Sequence, residues 1–299
     1  MDAIHIPVLL HEVIRFLDPK DGDFIVDGTL DGGGYAETII SSISEGTFLG
    51  VDWDREMLSR TEARLSDNGP KSVSTIFVND NFANLSDVLS KTRLGKIDGL
   101  VLDLGFSSEQ LELSGRGFSF LRDEPLLMTY SDEAEPVYEI LRRLSESELA
   151  DIIYNLSGER YSRRIAKAIK TALKSKSLVT SGELASVVSG ALPKGYEKGR
   201  INPATRTFQA LRIYANHELE NLDKVLSKLP EIMAPDGKVV IVSFHSLEDV
   251  RIKKAFKNLS DDGLVEILTK KPITAHADEI RMNPRARSAK LRAIKFNSV

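Results

Sequence analysis

The sequence predicts an α/β protein whose parallel sheet is interrupted by an all-helical insertion. Short apolar runs alternate with helical segments over the first third of the 299 residues, strand signals then vanish, and they return near the end. Alternation of strand and helix is typical of a parallel sheet wrapped by helices. Loops longer than about 15 residues seldom lack structure of their own, so the interrupting segment should be a folded domain.

Each strand is predicted from a short run of apolar and β-branched residues bounded by turn-forming residues. In chain order the predicted strands span residues 23–27, 46–52, 73–79, 97–105, 238–244, 264–270 and 291–296. Helical segments follow the first two strands, at residues 35–44 and 55–65, and the turn APDG precedes the fifth.

These elements divide the chain into a discontinuous sheet domain, residues 1–110 and 214–299, and an inserted helical domain, residues 111–213. Side chains that cap the first turn of a helix mark where helices begin. Capping signals in the insertion are Ser145 with Glu148, Thr180 with Glu183, and Asn202 before Pro203.

The composition excludes several kinds of chemistry. The chain has no cysteine and only five scattered histidines, so thiolate nucleophiles, iron–sulfur clusters and cysteine zinc sites are impossible, and we expect no metal site. No apolar run approaches the roughly 20 residues that span a bilayer, and no signal peptide is visible. We therefore expect a cytoplasmic protein that does not engage membranes. The net charge of −4 leaves room for local basic patches.

A triple glycine, Gly32 to Gly34, follows the first predicted strand, and Asp52 ends the second strand about 20 residues later. This spacing favours a ligand that contains adenosine, bound by bare backbone at the loop and by the acid at its ribose; the alternative is a tight turn with a solvated aspartate. The third spaced glycine of dinucleotide sites is missing, and no P-loop lysine follows. Asp27 precedes the loop, and this order of acid, glycines and acid resembles S-adenosylmethionine (SAM) methyltransferases.

Six longer segments, in this order along the chain, closely resemble the bacterial ribosomal RNA small subunit methyltransferase H family. They are HIPVLLHEV (5–13), VLDLGFSSEQL (101–111), RGFSF (116–120), NPATRTFQALRI (202–213), SFHSLED (243–249) and NPRARSAKLR (283–292). The resemblance implies a Rossmann-like class I SAM methyltransferase sheet with an inserted substrate-recognition domain. It also implies methyl transfer from SAM to the exocyclic N4 of a cytidine in the decoding region of small-subunit (16S) rRNA. The expected partner is that rRNA or the small ribosomal subunit; the oligomeric state is not indicated.

The resemblance also implies a set of cofactor contacts. They are Gly33, Gly34, Tyr35, Asp52, Phe82, Asp103 and Gln110. The spacing argument independently selects Gly33, Gly34 and Asp52. Phe82 could flank the adenine ring or belong to the core. Asp103 ends the fourth strand, where ligands of open α/β sheets bind.

Asp103 and His245 are the catalytic candidates. His245 follows the fifth strand and could instead be a structural histidine or a helix cap, and Ser246 with Asp249 also fits a cap there. Because there is no cysteine, methylation of cytosine C5 through a thiolate adduct is excluded, and direct displacement onto nitrogen or oxygen remains.

Candidate RNA contacts are basic residues that lie in clusters although the chain as a whole is acidic. They are Arg116, Arg206, Arg164, Arg285 and Arg287. Arg164 belongs to an amphipathic segment, residues 160–174, whose basic face could contact phosphates or could simply be solvated.

The chain departs from the family pattern at several positions. Tyr35 replaces a histidine, Asp31 a small residue and Val250 an arginine; Leu127, Thr129 and Ser131 stand where Asp, Arg and Asp are expected. Alternative functions therefore stay open: an RNA methyltransferase with another target nucleotide, or a catalytically weak RNA-binding assembly factor. A nicotinamide oxidoreductase is disfavoured by the missing glycine.

Overall fold

The chain divides into two compact units, one formed by residues 1–107 and 219–299 and the other by residues 108–218. The computed structural model describes residues 7–66, 72–105, 114–175, 178–199 and 201–298. Among the helices described, none combines the length and the apolar character needed to cross a bilayer.

The first unit is built on a seven-stranded sheet within the described residues, in the order β3-β2-β1-β4-β5-β7-β6. The strands are β1 Phe24–Asp27, β2 Gly46–Asp52, β3 Val73–Asn79, β4 Ile97–Asp103, β5 Met233–Ser243, β6 Val265–Ile267 and β7 Lys290–Phe296. Strands β1 to β5 are parallel, whereas β7 runs antiparallel to both β5 and β6. This arrangement confirms the predicted class, a Rossmann-like class I methyltransferase sheet.

The helices are numbered here in chain order. They are α1 Leu10–Leu17, α2 Gly34–Ser42, α3 Arg55–Ser66, α4 Leu85–Thr92, α5 Val137–Arg143, α6 Glu146–Ser157, α7 Ser162–Ser175, α8 Ser181–Ala191, α9 Thr205–Ala215, α10 Glu218–Ile232, α11 Ser246–Asp261 and α12 Ala277–Met282. Helices α5 to α9 lie within the second unit.

Two apolar clusters cover the two faces of the sheet. Alternate residues of a strand point to opposite faces, so Leu100 and Leu102 of β4 join one cluster and Val101 joins the other. Helices α4, α10 and α11 pack on the first face, and α1, α2 and α3 pack on the second. Because both faces are covered, the central strands are apolar throughout, which is why their runs were visible in the sequence.

The second unit is helical over its described elements, with one isolated β-bridge between Pro125 and Thr180. The capping boxes of Ser145 with Glu148 and of Thr180 with Glu183 are both confirmed.

The third predicted helix start, at Asn202, is wrong. The side chain of Asn202 accepts a hydrogen bond from the Ala204 N–H, and its carbonyl accepts one from Thr205 N–H, so residues 202–205 form a turn. Helix α9 begins only at Thr205, with Ala204 as its N-cap residue.

The fifth strand begins earlier than the sequence predicts. Its pairing with β4 passes from Ile97 opposite Met233 to Gly99 opposite Lys238, so the APDG segment bulges out of the ladder instead of preceding the strand. Asp236 in this bulge has a φ of 62°, a left-handed conformation that aspartate tolerates better than most residues.

A buried ion pair joins β7 to α11. The Nε of Arg292 lies 2.6 Å from Oδ1 of Asp249, and the Nζ of Lys290 lies 3.2 Å from Oδ2 of the same carboxylate. Both Arg292 and Asp249 are buried. The hydrogen bond from Arg292 and the charges of both cations hold the pKa of Asp249 below its usual value against the opposing effect of burial.

We expect Arg292→Met to lower the free energy of unfolding by about 3 kcal/mol, since it strips a buried carboxylate of its closest partner. Urea unfolding followed by circular dichroism would measure the loss. Lys295→Met is the matched control, because Lys295 lies on the same strand as Arg292. Its ion pair with Asp236 is half-exposed and should contribute less than about 1 kcal/mol to the free energy of unfolding. Equal losses in the two variants would contradict the assignment.

Candidate active site

Four aspartates meet where the parallel strands end. Asp27 ends β1, Asp52 ends β2, Asp103 ends β4, and Asp31 lies in the loop between β1 and α2. The carboxyl ends of parallel strands share one edge of a sheet, which is where open α/β sheets bind ligands. Asp27, Asp52 and Asp103 are all buried. We call these four residues the acidic cluster.

The carboxylate of Asp52 is held by main-chain donors. Its Oδ2 accepts a hydrogen bond of 2.7 Å from the Asp31 N–H, and its Oδ1 accepts one of 2.8 Å from the Asp54 N–H. Each carboxylate oxygen can accept a second hydrogen bond. The N–H of Trp53 adds a third main-chain hydrogen bond, so the group is fixed in place with acceptor capacity left for a neighbouring hydroxyl, such as one of a ribose.

Asp27 carries an unpartnered atom. Its Oδ1 accepts from the Thr29 N–H at 3.2 Å, whereas its Oδ2 is buried and has no hydrogen-bond partner among the residues described. Burial, reinforced by the charges of Asp103 and Asp52, raises the pKa of Asp27 to about 7. A buried oxygen left in this state indicates a missing donor or cation.

Asp103 is tied to Tyr35. The Tyr35 hydroxyl lies 3.0 Å from Oδ2 of Asp103 and also contacts the carbonyl of Val8, while the Gly105 N–H donates to Oδ1 at 2.9 Å. Burial raises the pKa of Asp103 to about 6, and the hydrogen bonds from Gly105 and Tyr35 oppose that rise. This bond was not predicted from the sequence, where its only signal is a tyrosine at a position for which the family resemblance implies a histidine.

Burial is also the largest cause of the raised pKa values of Asp31 and Asp52. The charges of Asp52, Asp103, Asp27 and Asp54 add to the rise at Asp31, and the charge of Asp54 adds to it at Asp52. The acidic cluster therefore favours binding of a proton or of a cationic ligand.

The glycine loop is constrained by its own protein neighbours. Gly33 has a φ of +70°, and a Cβ there would lie 2.5 Å from Cγ2 of Thr61. A Cβ on Gly34 would lie 2.9 Å from the ring of Pro7. Close packing of α3 and Pro7 thus explains why these two positions carry no side chain. That Gly33, Gly34 and Tyr35 also contact the cofactor stays a prediction.

Phe82 opens a short 3₁₀ turn after β3 and packs partly buried against the first apolar cluster. Its Cβ lies 3.2 Å from where a Cβ on Gly28 would be, which places it beside the loop that follows β1. Gln110 lies outside the described residues.

His245 is the N-cap residue of α11. Its Nδ1 accepts from the Glu248 N–H, and the Glu248 carboxylate accepts from the His245 N–H, which forms a capping box. The cap expected from Ser246 and Asp249 is therefore wrong, because Asp249 pairs with Arg292 instead. The structure gives His245 a definite structural role; its catalytic role stays a prediction.

The candidate RNA-binding arginines occupy different settings. Arg285 and Arg287 lie in the 3₁₀ turn before β7. In the second unit, Arg116 pairs with Asp132 and donates to the Thr129 carbonyl, and Arg206 donates to the Tyr196 hydroxyl. Arg164 is exposed on α7.

The sheet order, the reversed last strand and the acidic edge together define a class I methyltransferase. The profile of the MraW methylase family matches residues 2–297, and the chain belongs to that family. It is 40% identical to the ribosomal RNA small subunit methyltransferase H of Syntrophus aciditrophicus, over 97% of this chain and 96% of the relative. It is 43% identical to the protein of the same name from Wolbachia pipientis, over 97% and 98%. A solved rRNA methylase from Streptococcus thermophilus is 10% identical, with a TM-score of 0.45 over 97% of this chain and 94% of that one.

Family membership confirms the expected cofactor, SAM, and the acidic cluster fits it. SAM carries a positive sulfonium and an amino group, which suit a buried group of carboxyls that includes the unpartnered Oδ2 of Asp27. Its ribose diol suits the remaining acceptor capacity of Asp52.

We expect Asp27→Asn to flatten the pH dependence of stability. The pKa of Asp27 is raised to about 7 in the folded chain, so between about pH 4 and pH 7 the folded chain holds a proton that the unfolded chain has released. Protonation of Asp27 therefore stabilises the fold at low pH, and this stabilisation is lost as the pH rises from about 4 to 7. Relative to the variant, the wild-type free energy of unfolding should fall by about 2–4 kcal/mol over that window. Unfolding titrations at each pH would measure it. The exposed Asp87→Asn should behave as wild type, and an unaltered pH dependence in Asp27→Asn would contradict the prediction.

We expect Tyr35→Phe to weaken SAM binding mainly at low pH. Removing the hydroxyl removes a hydrogen bond that lowers the pKa of Asp103, so this carboxyl should stay protonated to a higher pH and attract the cationic cofactor less. The loss should be about fivefold at pH 6 and smaller at pH 8, as measured by calorimetry. The exposed Tyr154→Phe is the control. An equal loss at both pH values would indicate a packing effect alone.

Proposed function

We propose that this protein methylates the exocyclic N4 of a cytidine in the decoding region of small-subunit rRNA, with SAM as the methyl donor. The supporting observation is the match of nearly the whole chain to the MraW methylase family, together with relatives of about 40% identity named ribosomal RNA small subunit methyltransferase H. The N4 position and the decoding region are what the family resemblance implies.

Bound SAM supplies an electrophilic methyl group on a sulfonium. Asp52, fixed by the N–H groups of Asp31 and Asp54, would hold the ribose of the cofactor. Asp27 and Asp103 provide negative charge at the same edge of the sheet. Fixing the donor in this way replaces a bimolecular encounter by a positioned one, which lowers the entropic part of the barrier.

The cytosine amino group is a weak nucleophile because its lone pair is delocalised into the ring. Asp103 would accept a hydrogen bond from this amino group, which would orient the nitrogen toward the methyl group. With SAM bound, methyl transfer would leave the nitrogen acidic, and the Asp103 carboxylate would take up the proton that it releases. Tyr35 helps to keep this carboxylate ionised.

RNA binding is assigned to basic surfaces on each unit. On α7, the side chains of Arg163, Arg164 and Lys167 are exposed, whereas Lys170 donates to the carbonyls of Leu141 and Arg142 and serves the packing of the second unit. Exposed cations of this kind attract phosphates with a strong dependence on salt.

A second candidate is an RNA methyltransferase with a different target nucleotide. It is favoured by Leu127, Thr129 and Ser131, which stand where the family has two carboxylates and a guanidinium. Thr129 is buried, and its carbonyl accepts from Arg116, which also pairs with Asp132. Hydrogen-bonding capacity and charge in this segment thus differ from the family pattern.

The test is to incubate the protein with labelled SAM and small subunits that lack the modification, and to map the methyl group by mass spectrometry. Label on N4 of a single decoding-region cytidine is the expected result. Label on another nucleotide would favour the second candidate. Bound SAM with no transfer would indicate an assembly factor.

In the same assay, Asp103→Asn should lower kcat by about 10²–10⁴-fold, because the amide cannot take up the proton. SAM affinity, measured separately by calorimetry, should fall far less. Asp87→Asn serves again as the surface control. An unchanged kcat in Asp103→Asn would remove this residue from the mechanism.

A further inference from the structure

The first unit contains a cavity of about 260 Å³ that the proposed mechanism does not use. It lies between the turn that opens α11 and the segments that precede β7. Phe244, His245 and Ser246 line one side, and Thr274, Arg287 and Lys290 are among the residues that line the other.

The cavity is lined by cations that are incompletely neutralised. Arg287 is exposed, and among the described residues no carboxylate pairs with it. Lys290 shares the single carboxylate of Asp249 with Arg292. The nearby Glu248 carboxylate accepts the N–H groups of Phe244 and His245 at Oε2, and its Oε1 lies 3.0 Å from Nε2 of His245, so it faces the capping turn and pairs with neither cation. The lining therefore keeps an excess of positive charge.

The remaining lining groups suit a phosphate. Ser246 is the first residue of α11, a helix of 16 residues, so its main-chain N–H and hydroxyl lie at the positive end of a helix dipole. The hydroxyls of Thr274 and Ser288 also line the cavity. A guanidinium, an ammonium, hydroxyls and a helix N-terminus around one cavity are the donors that phosphate oxygens prefer.

Phe244 connects this cavity to the candidate catalytic residue. A Cβ placed on Gly105 would lie 2.6 Å from Cε2 of Phe244 and 2.9 Å from Oδ1 of Asp103. The strand before Phe244 also pairs directly with β4, with Val242 opposite Asp103. A nucleotide whose phosphate occupied the cavity would therefore lie beside the reactive edge of the sheet.

The size of the cavity limits the ligand. At about 260 Å³ it is below the range of roughly 300–1,000 Å³ for pockets that enclose a drug-sized molecule. We propose that it binds the phosphate of a single ribonucleotide, as part of the RNA strand that presents the base to be methylated. This inference rests on the proposed RNA substrate and names the contact that positions it.

The test is a titration of the full-length protein, saturated with S-adenosylhomocysteine, with cytidine 5′-monophosphate, cytidine and inorganic phosphate, followed by NMR. The nucleotide should bind at least tenfold more tightly than cytidine or inorganic phosphate. Arg287→Ala should reduce nucleotide binding to the level of cytidine. Arg281→Ala is the matched control, since this arginine is exposed on α12, does not line the cavity, and should leave binding unchanged.

Equal binding of nucleotide and cytidine, or an unchanged affinity in Arg287→Ala, would overturn the proposal. Inorganic phosphate bound as tightly as the nucleotide would also overturn it, because the cavity would then be a simple anion site. Thr274→Val provides a second variant should Arg287→Ala fail to fold. It should weaken binding of the nucleotide and leave binding of cytidine unchanged. None of these titrations needs methyl transfer. The proposed phosphate contact can therefore fail while the methyl-mapping experiment succeeds, and the mapping experiment can fail while the nucleotide binds.

Discussion

The burial of several carboxyl groups at one edge of a parallel sheet is the constraint on which this structure depends. Pairing of β1 with β2 and β4 fixes the strand ends in register, and so places Asp27, Asp52 and Asp103 at the same edge. Each carboxyl is desolvated and lies near others of like charge. The fold tolerates this arrangement because main-chain donors and one tyrosine hold the carboxyls, and a cationic ligand such as SAM would suit them further.

Binding and stability are consequently linked in this protein. Because burial favours protonation of this cluster, we expect protons and the cationic cofactor to compete for its carboxyls. Tyr35 shifts this competition toward the ligand by favouring the ionised form of Asp103. The family resemblance implies a histidine at this position, whereas this chain has a phenol, which carries one hydrogen-bond donor and stays neutral at physiological pH.

The strands and the acidic edge could be predicted from sequence because they follow from short-range patterns. Strands β2 and β3 begin and end where the apolar runs do. The common edge of Asp27, Asp52 and Asp103 follows from the rule that the carboxyl ends of parallel strands lie together. A helix cap at His245 was one of the interpretations that the sequence left open. The bulge in β5 could not be predicted, since it depends on how this strand pairs with the distant strand β4. The packing around the glycine loop could be predicted only in part. Its small residues indicated a close approach, but only three-dimensional packing identified Thr61 and Pro7 as the groups that approach.

The discontinuity of the sheet has a consequence for how the chain is made. Strand β4 is synthesised before residues 108–218, and its neighbour β5 only after them. Until translation reaches β5, the growing polypeptide carries an apolar edge strand without its partner, which is a template for aggregation. Helices α5 to α9 can meanwhile form their own local contacts. We therefore expect the interval between these two strands to be the period in which the nascent protein depends most on chaperones.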